Sequence, residues 1–332
     1  RRSPLRGDLL RIGAGRRRRV SRDGVLFLHT ATTPKPGADT TVLLDVVKSL
    51  DRTARPVHLA CEAGTSDAPT PTYRVATSLP DLTVLPVSLG PELFGTSGRA
   101  RARALWRTVP AMVDLLRLAV HVRRHGIAII HVGDRPRDMT AAVVLSKLTG
   151  ATSVVHVHQC YSEYWTGLAR RSIARVDVLV PVSNYVGETL VEGGLPPTAV
   201  HPIHNAVDPR RGDSDADRGR ARADLGFPAD APIVLTVCRL FPDKGVGELI
   251  EAVAIARGRV PDARLLVVGT PLSDDDTHLD DLRCRVDELE LGGAVEFLGW
   301  RDDIDRLMAA TDVFAMPSRG EPFGLVYVEA MA

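Results

Sequence analysis

Short apolar runs alternate along the chain with longer segments of helical periodicity. In the first half the runs predict strands at 25–30, 57–62, 82–87, 127–133, 152–159 and 176–183. Apolar residues recurring every three to four positions predict helices at 40–52, 108–126, 139–150, 162–175 and 184–193. Unbroken apolar strands separated by helices are typical of a parallel sheet that is covered on both faces.

The pattern is interrupted at 209–230, which is polar and charged, and it restarts at 232. The second half has predicted strands at 232–239, 263–269, 294–300 and 312–318, with helices at 245–258, 277–290, 302–310 and after 318. The sequence therefore predicts an α/β protein with two tandem Rossmann-like, doubly wound domains at 25–208 and 231–332. Segment 209–230 is predicted to be a linker with a short helix. Ligands of such sheets bind beyond the carboxyl ends of the strands.

Composition fits a globular protein of this size and excludes several classes. The chain has 332 residues, of which 44% are hydrophobic and 25% charged, which is typical of soluble globular proteins with about two domains. No apolar run is long enough to predict a transmembrane helix. The four cysteines are far apart and form no CxxC pair. This spacing argues against a cysteine zinc site or a disulfide framework and favours the cytoplasm.

A basic arm at residues 1–24 carries much of the positive charge. Residues 1–22 contain nine arginines and one acid, Asp8, whereas the whole chain has a formal net charge of +1. The arm is predicted to be a solvated, disordered leader; the alternative is peripheral contact with anionic lipid at the inner face of the membrane. Nucleic acid is not expected as a partner, since no aromatic residue is interleaved with the arginines.

The loop after the first strand of the second domain predicts a phosphate site. Arg239 ends the strand in "VCRLFPDKGVGELIEA", and Lys244 and Gly245 open the following helix. A helix start offers free backbone N–H groups, and two cations beside it suit a diphosphate. The alternative is that Arg239 pairs with an acid such as Asp243 while Lys244 is solvated.

The last stretch, "SRGEPFGLVYVEAMA", carries two glutamates eight residues apart. Glu321 lies in the loop before a predicted helix, where an acid is also favoured by the helix dipole alone. Glu329 lies inside a helix that is otherwise apolar, so we expect it to be partly buried and to need donors. Sugar hydroxyl groups are such donors, although an exposed helix position is the simpler explanation.

These stretches occur in a recognisable order. "CRLFPDKG", "LLVVG", "VEFLGW" and "SRGEPFGLVYVEAMA" resemble, in order and spacing, the second domain of family 4 glycosyltransferases of the GT-B fold. In the first domain, "VVHVHQ", "VLVPVSNYV" and "VHPIHNAVDP" resemble that family more loosely. The resemblance covers residues 25–332.

The resemblance implies a donor site for a nucleoside-diphosphate sugar. It places Arg239 and Lys244 on the diphosphate, Glu321 on the donor-sugar hydroxyls and Glu329 on the ribose hydroxyls, as the two acids of the family's E-x7-E motif. It implies a catalytic role for His158 and Glu321 near the donor sugar. The remaining residues that it implies for the donor site and the phosphate and acceptor loop are Gly245, Phe297, Leu298, Gly299, Phe323, Gly324, Leu325, Gly37 and Asp39.

The chain departs from the family pattern at several positions. Cys238 stands where the family usually has glycine, the first loop has a single glycine, Gly37, and Gln159 follows His158 instead of an acid. Asp274 and Asp276 have the DxD spacing by which other glycosyltransferases hold a metal ion. We interpret them as a solvated acidic loop before a helix and predict no metal ligand.

The resemblance predicts a retaining, metal-independent glycosyltransferase of the hexosyltransferase type that needs no cofactor besides its sugar-nucleotide co-substrate. The acceptor is expected to be a hydroxyl group of a glycan, a glycolipid or other lipid-linked molecule, or a small molecule. The alternatives are another GT-B enzyme such as a sugar-nucleotide epimerase or hydrolase, a nicotinamide oxidoreductase, and a non-catalytic sugar-nucleotide-binding protein. The oxidoreductase is disfavoured because the dinucleotide fingerprint is missing.

The second domain shows four predicted strands. A complete doubly wound sheet has six strands in the order 3-2-1-4-5-6. A domain with only the first four lacks the strands that follow the fourth one, so 312–318 would form an exposed edge of the sheet. We therefore expect the chain to be truncated at its carboxyl end, to be poorly stable and to bind the donor weakly, whereas a longer form is active.

Overall fold

The computed structural model describes residues 23–33, 37–90, 108–161, 167–207, 215–271 and 277–332. The described chain forms two compact units, which divide between Ile203 and His204. Each unit has its own sheet, and each is described by itself. No helix in the described ranges combines the length and the apolar composition needed to cross a membrane.

The first unit contains a six-stranded, fully parallel sheet. Its strands are β1 (Gly24–His29), β2 (Val57–Cys61), β3 (Leu82–Pro86), β4 (Ile127–Gly133), β5 (Thr152–Val157) and β6 (Val178–Pro181). Their order is β3-β2-β1-β4-β5-β6, with every pair parallel. The described helices are α1 (Ala38–Ser49), α2 (Pro71–Ser78), α3 (Thr108–Arg124), α4 (Pro136–Thr149), α5 (Gly167–Ile173) and α6 (Asn184–Glu192).

The second unit contains a four-stranded parallel sheet. Its strands are β7 (Ile233–Val237), β8 (Arg264–Val268), β9 (Val295–Gly299) and β10 (Val313–Phe314), in the order β10-β7-β8-β9. The described helices are α7 (Asp215–Leu225), α8 (Val246–Arg257), α9 (His278–Glu288), α10 (Ile304–Ala310) and α11 (Leu325–Met331). The predicted fold class, two Rossmann-like α/β units, is confirmed.

The strands read as continuous apolar runs because helices cover both sides of each sheet. All six residues of β1 and all five of β2 are buried. On one side of this sheet, Phe27 and Leu59 pack with Leu43 and Val47 of α1. Alternate side chains of a strand point to opposite faces, so a strand in the middle layer has no polar face to offer.

Two elements differ from the sequence-based expectation. Helix α2 was not predicted because its sequence, PTYRVATS, is mostly polar and β-branched. Its start is fixed by Pro71 in the first turn and by the Thr70 side chain, which accepts from the Tyr73 N–H. Strand β10 is only two residues long, although 312–318 was predicted. Within the described chain β10 pairs with β7 alone, and Val313 is 52% exposed at this edge.

Helix α7, in the segment predicted to be a linker, is fastened to the second unit by one buried arginine. Arg222 is 4% exposed. Its guanidinium donates to the carbonyl oxygen atoms of Ala231 and Ala310 at 3.1 and 2.9 Å, and it pairs with Asp312 at 2.6 Å. The aspartate also accepts from the Ile233 N–H at 2.7 Å. The network joins α7 to the loops before β7 and β10.

Candidate functional site

The candidate site residues of the second unit lie at the carboxyl edge of its sheet. Arg239 follows β7, Phe297, Leu298 and Gly299 end β9, and Glu321 follows β10. Because all four strands are parallel, their carboxyl ends meet at one edge. The topology thus brings together loops that are far apart in sequence.

The loop after β7 reaches helix α8 through a tight turn. Pro242–Lys244 form one turn of 3-10 helix, and Gly245 takes the left-handed conformation, with φ at +70°. A Cβ atom on Gly245 would lie 2.3 Å from the carbonyl oxygen of Pro317. Only glycine satisfies both requirements, so Gly245 allows the loops after β7 and β10 to touch. The Arg319 N–H donates to the Asp243 carbonyl at 2.7 Å and joins the same two loops.

Lys244 and Glu321 are brought into direct contact by this arrangement. The Lys244 Nζ atom lies 2.7 Å from the Glu321 Oε2 atom, and the two side chains are 20% and 24% exposed. The pair therefore stands beside the amino end of α8, where backbone N–H groups are free of helical partners. In the protein without ligand the ammonium and the carboxylate neutralise each other. A ligand with both negative charge and hydroxyl groups could bind the ammonium through its negative charge and the carboxylate through its hydroxyl groups.

The other residues predicted for this site have distinct surroundings. Arg239 is exposed, makes no ion pair with a described residue, and has its guanidinium carbon 6.0 Å from the centre of the Phe241 ring. Gly324 has φ at +75° and precedes α11, which Leu325 begins. Phe323 and Glu329 are half-buried. The Tyr327 hydroxyl, which sequence reasoning missed, donates to the Met316 carbonyl and fastens α11 to the loop before it.

The end of β9 offers its backbone more than its side chains. Phe297 packs against one core cluster and Leu298 against another, on opposite faces of the sheet. Gly299 has φ at +65°, and its carbonyl accepts from the Gly269 N–H at 2.8 Å. A ligand at this edge would therefore meet main-chain groups of 297–299.

Cys238 stands directly before Arg239, and its thiol is neutral. Burial raises its pKa to about 11, against smaller opposing effects of the Thr236 hydrogen bond and the Lys244 charge. A neutral thiol is a weak nucleophile. Gly269 of the neighbouring loop has no room for a side chain, because a Cβ atom would meet the Cys238 carbonyl.

The first unit has its own polar cluster, at the point where its strand order reverses between β1 and β4. Asp39, in the first turn of α1, accepts from Arg135, with 3.1 Å between Oδ2 and Nη2 and 3.2 Å to Nε. Burial acts to raise the pKa of Asp39, but the charge of Arg135, followed by that of His29, outweighs it and lowers the pKa. Gly37 precedes the helix, and a Cβ atom there would lie 2.7 Å from the Asp39 Oδ1 atom.

His158 is positioned by a buried aspartate. Asp134 follows β4 and accepts from the N–H groups of His158 and Gln159 at 2.9 and 3.1 Å. Burial raises the pKa of Asp134. The ring centre of His158 lies 4.4 Å from that of His156, which is buried and whose Nε2 atom has no hydrogen-bond partner in the part of the chain that the structure describes. Sequence reasoning placed His158 at a strand end but missed the aspartate that fixes its backbone.

Two further residues at this edge were missed. His29 ends β1, its Nε2 atom lies 3.0 Å from the Thr40 Oγ1 atom, and burial is the main cause that lowers its pKa to about 4. Asp138 is fully buried and accepts from the Thr30 N–H at 3.0 Å, and burial raises its pKa to about 6. For Asp138 the available signal was the run "DRPRD" directly after β4, because charged residues after a buried strand lie at the ligand edge.

Several predicted features lie outside the described residues. They are residues 1–22 of the arginine arm, the loop residues 34–36 before Gly37, and the acidic loop with Asp274 and Asp276.

Comparison with known families agrees with both units. The sequence model described as "Glycosyltransferase Family 4" matches residues 40–211, and the one described as "Glycosyl transferases group 1" matches residues 217–332. This chain belongs to glycosyltransferase family 4. The resemblance found in the sequence motifs is therefore confirmed at the level of the family.

Curated relatives of this family 4 chain match it over part of their length. It is 41% identical over 111 residues to the lipopolysaccharide core biosynthesis glycosyltransferase LpsE of Rhizobium meliloti, covering 33% of this chain and 30% of the relative. It is 35% identical over 164 residues to mannosylfructose-phosphate synthase of Agrobacterium fabrum, covering 47% and 36%. The chain thus spans about a third of the length of these two relatives.

Solved structures share the fold over nearly the whole chain. Alr3699/HepE of Anabaena, solved in complex with UDP-glucose, superposes with a TM-score of 0.72 at 24% identity, covering 93% of this chain and 78% of that one. WaaG, a glycosyltransferase involved in lipopolysaccharide biosynthesis, gives a TM-score of 0.61 at 19% identity, covering 92% and 78%. At such identities the likeness shows the GT-B fold.

Proposed function

We propose that this chain is a retaining glycosyltransferase, which moves a sugar from a nucleoside-diphosphate sugar to a hydroxyl group of an acceptor. The observation that carries the proposal is the Lys244–Glu321 pair, at 2.7 Å, beside the start of α8. The family and the ligands named for its structural neighbours support a sugar nucleotide. The two relatives are named for products as different as a lipopolysaccharide core and mannosylfructose phosphate, so the acceptor is proposed only as a hydroxyl group.

In the proposed complex the diphosphate replaces Glu321 as the partner of Lys244. Arg239, exposed beside it, adds a second cation, and the N–H groups at the start of α8 add hydrogen-bond donors. Glu321 then accepts from sugar hydroxyls and Glu329 from ribose hydroxyls. Main-chain groups of 297–299 face the base.

We propose that transfer then occurs with retention of configuration. The acceptor oxygen bonds to the anomeric carbon on the face from which the diphosphate leaves, and the bond between that carbon and the phosphate oxygen breaks. The leaving phosphate oxygen takes the acceptor proton. Arg239, Lys244 and the α8 dipole stabilise the negative charge that develops, and we propose on this ground that no metal ion is required.

His158 is proposed to shape the donor-sugar site and does not act as a nucleophile. Its main chain is held by Asp134, and Gly37 and Asp39 lie at the same edge of the first sheet, where we propose that phosphate and acceptor are contacted. Cys238 is excluded as a nucleophile in this scheme, because its thiol stays protonated at neutral pH.

A binding panel tests the donor assignment. UDP-, GDP- and ADP-sugars are titrated calorimetrically into the wild-type chain, Arg239→Ala, and the matched control Arg283→Ala, an exposed arginine of α9. We expect one sugar nucleotide to bind, Arg239→Ala to weaken it by about tenfold or more, as for loss of a hydrogen bond to a charged group, and the control to bind normally. Equal binding by all three proteins would refute the site. Binding without turnover would identify a non-catalytic binding protein.

A further inference from the structure

A cluster of three histidines lies at the opposite edge of the first sheet from Asp39 and Asp134. His58 is the second residue of β2. His121 is in the last turn of α3, and His125 follows that helix directly, just before β4 begins at Ile127. The amino end of β2 and the carboxyl end of α3 therefore meet here, away from the ligand edge.

The three imidazoles are close enough to share one ion. The His121 Nε2 atom lies 3.1 Å from the His58 Nδ1 atom. One ring nitrogen from each of the three residues lies within 4.8 Å of the other two. The rings of His121 and His125 stack with centroids 4.1 Å apart, because residues four apart share one face of a helix.

His58 is poorly satisfied by the protein alone. It is 4% exposed, and its Nε2 atom has no hydrogen-bond partner among the described residues. The one side-chain hydrogen bond of His58 to a described residue joins its Nδ1 atom to His121. The hydrogen bond that holds the His58 side chain in the described chain is thus made to another histidine of the cluster.

The chemistry of the surroundings narrows the choice of ion. The cluster offers nitrogen and no oxygen, which disfavours Mg²⁺ and Ca²⁺. Arg117 and Arg124 line the same surface depression as His121 and His125, and Asp114, the nearby acid, is taken by Arg117 at 3.1 Å and by the Ser88 N–H. The positive charges of Arg117 and Arg124 would repel a cation that is bound only by electrostatic attraction. An ion must therefore form strong bonds to imidazole, as Zn²⁺, Co²⁺, Ni²⁺ and Cu²⁺ do.

We propose that His58, His121 and His125 form a three-imidazole site for a divalent transition-metal ion, Zn²⁺ first, which ties helix α3 to strand β2. His125 is exposed, so the fourth coordination position faces solvent and would be filled by water. The role is stabilisation of the first unit, and it is independent of the proposed transfer of sugar.

Metal binding to the full chain tests the proposal. The protein is stripped with a chelator, titrated with Zn²⁺ by calorimetry and with Co²⁺ by visible absorption, and melted with and without Zn²⁺. The variants are His125→Ala and His58→Gln, and the matched control is His201→Ala, an exposed histidine of the same unit. Circular dichroism checks that each variant is folded.

We expect the wild type and His201→Ala to bind one equivalent of Zn²⁺, to give the intense absorption of four-coordinate Co²⁺, and to melt at a higher temperature with Zn²⁺. Loss of one ligand should weaken Zn²⁺ binding at least as much as loss of an outer-shell partner, about 10- to 100-fold. No Zn²⁺ binding by the wild type would overturn the proposal, and so would unchanged affinity in His125→Ala or in folded His58→Gln. If His58→Gln does not fold, the exposed His125 decides.

Discussion

Replacing Glu321 by glutamine separates the two roles that we propose for its carboxylate. In the protein without ligand, Glu321 neutralises Lys244 across 2.7 Å. With a sugar nucleotide bound, it is proposed to accept from sugar hydroxyls. Glutamine is nearly the same size and removes the charge, so Glu321→Gln releases Lys244 for phosphate while it weakens the grip on the sugar.

The structure sets the size of the two effects. The Lys244 and Glu321 side chains are 20% and 24% exposed. Their attraction should therefore be at least as strong as that of a fully exposed ion pair, which contributes about 0–1 kcal/mol. Freeing Lys244 should strengthen binding of a nucleoside diphosphate without sugar by about 1 kcal/mol, roughly fivefold. Losing charge-assisted hydrogen bonds to the sugar should cost about 1.5–3 kcal/mol. The preference for the sugar nucleotide over the bare diphosphate should therefore fall by about 10- to 150-fold.

Calorimetric titration with both ligands measures this preference directly. Glu248→Gln is the matched control, because Glu248 lies in the first turn of α8 and pairs with Arg319, not with Lys244. It removes the same charge from the neighbourhood and should change both affinities by the same small factor. If Glu321→Gln also changed both affinities equally, the carboxylate would not contact the sugar and the proposed grip would be wrong.

Three further variants test other parts of the structure: the turn before α8, the buried arginine of α7 and the buried histidine of β5. Gly245→Ala should lower the free energy of unfolding by about 1–2 kcal/mol because of its left-handed backbone, and further because its Cβ atom would clash with the Pro317 carbonyl; it should also weaken donor binding. Gly247→Ala, in the first turn of the same helix, should leave donor binding unchanged and leave stability unchanged or higher. Denaturant titration measures the stabilities and calorimetry the affinities. Arg222→Met should lower the free energy of unfolding by about 1–3 kcal/mol, because it removes the buried donor of several carbonyl groups. Arg218→Met, whose arginine side chain is 39% exposed, should cost less than about 1 kcal/mol. Burial chiefly lowers the pKa of His156 to about 3, so the unfolded chain takes up this proton first as the pH falls below 6.5. His156→Phe should therefore reduce the loss of stability between about pH 6.5 and 4.5 by on the order of 3 kcal/mol, measured by denaturant titration at each pH.

The sequence predicts those parts of the fold that periodicity decides. The strands of the first sheet are found within one or two residues of their expected bounds, because each is a short, mainly apolar run, and β1 and β2 are buried along their whole length. Helix α2 could not be found in this way, since its formation depends on the Thr70 cap and Pro71 and not on an apolar stripe. The two-residue β10 shows the opposite case, in which apolar residues were present but, among the described strands, β10 pairs with β7 alone.

The sequence motifs were enough to predict which residues of the second unit form the candidate site, but not how these residues contact one another. Arg239, Lys244 and Glu321 were singled out by residue type and spacing, and their meeting at one sheet edge follows from the parallel topology. The contact between Lys244 and Glu321 was not foreseen, because it depends on Gly245 letting two loops touch. Asp134 was missed although it lies in the charged run after β4, because its residue type does not reveal that it accepts from the backbone N–H groups of His158 and Gln159.

The configuration of the released sugar tests the central claim most directly. An α-linked sugar nucleotide selected by the binding panel is incubated with the chain, and the anomeric proton of the freshly transferred sugar is followed by NMR, with water as the default acceptor. The proposal predicts free nucleoside diphosphate together with a sugar that appears first in the α configuration. A sugar that appears first in the β configuration, or an epimerised sugar nucleotide without free diphosphate, would contradict it.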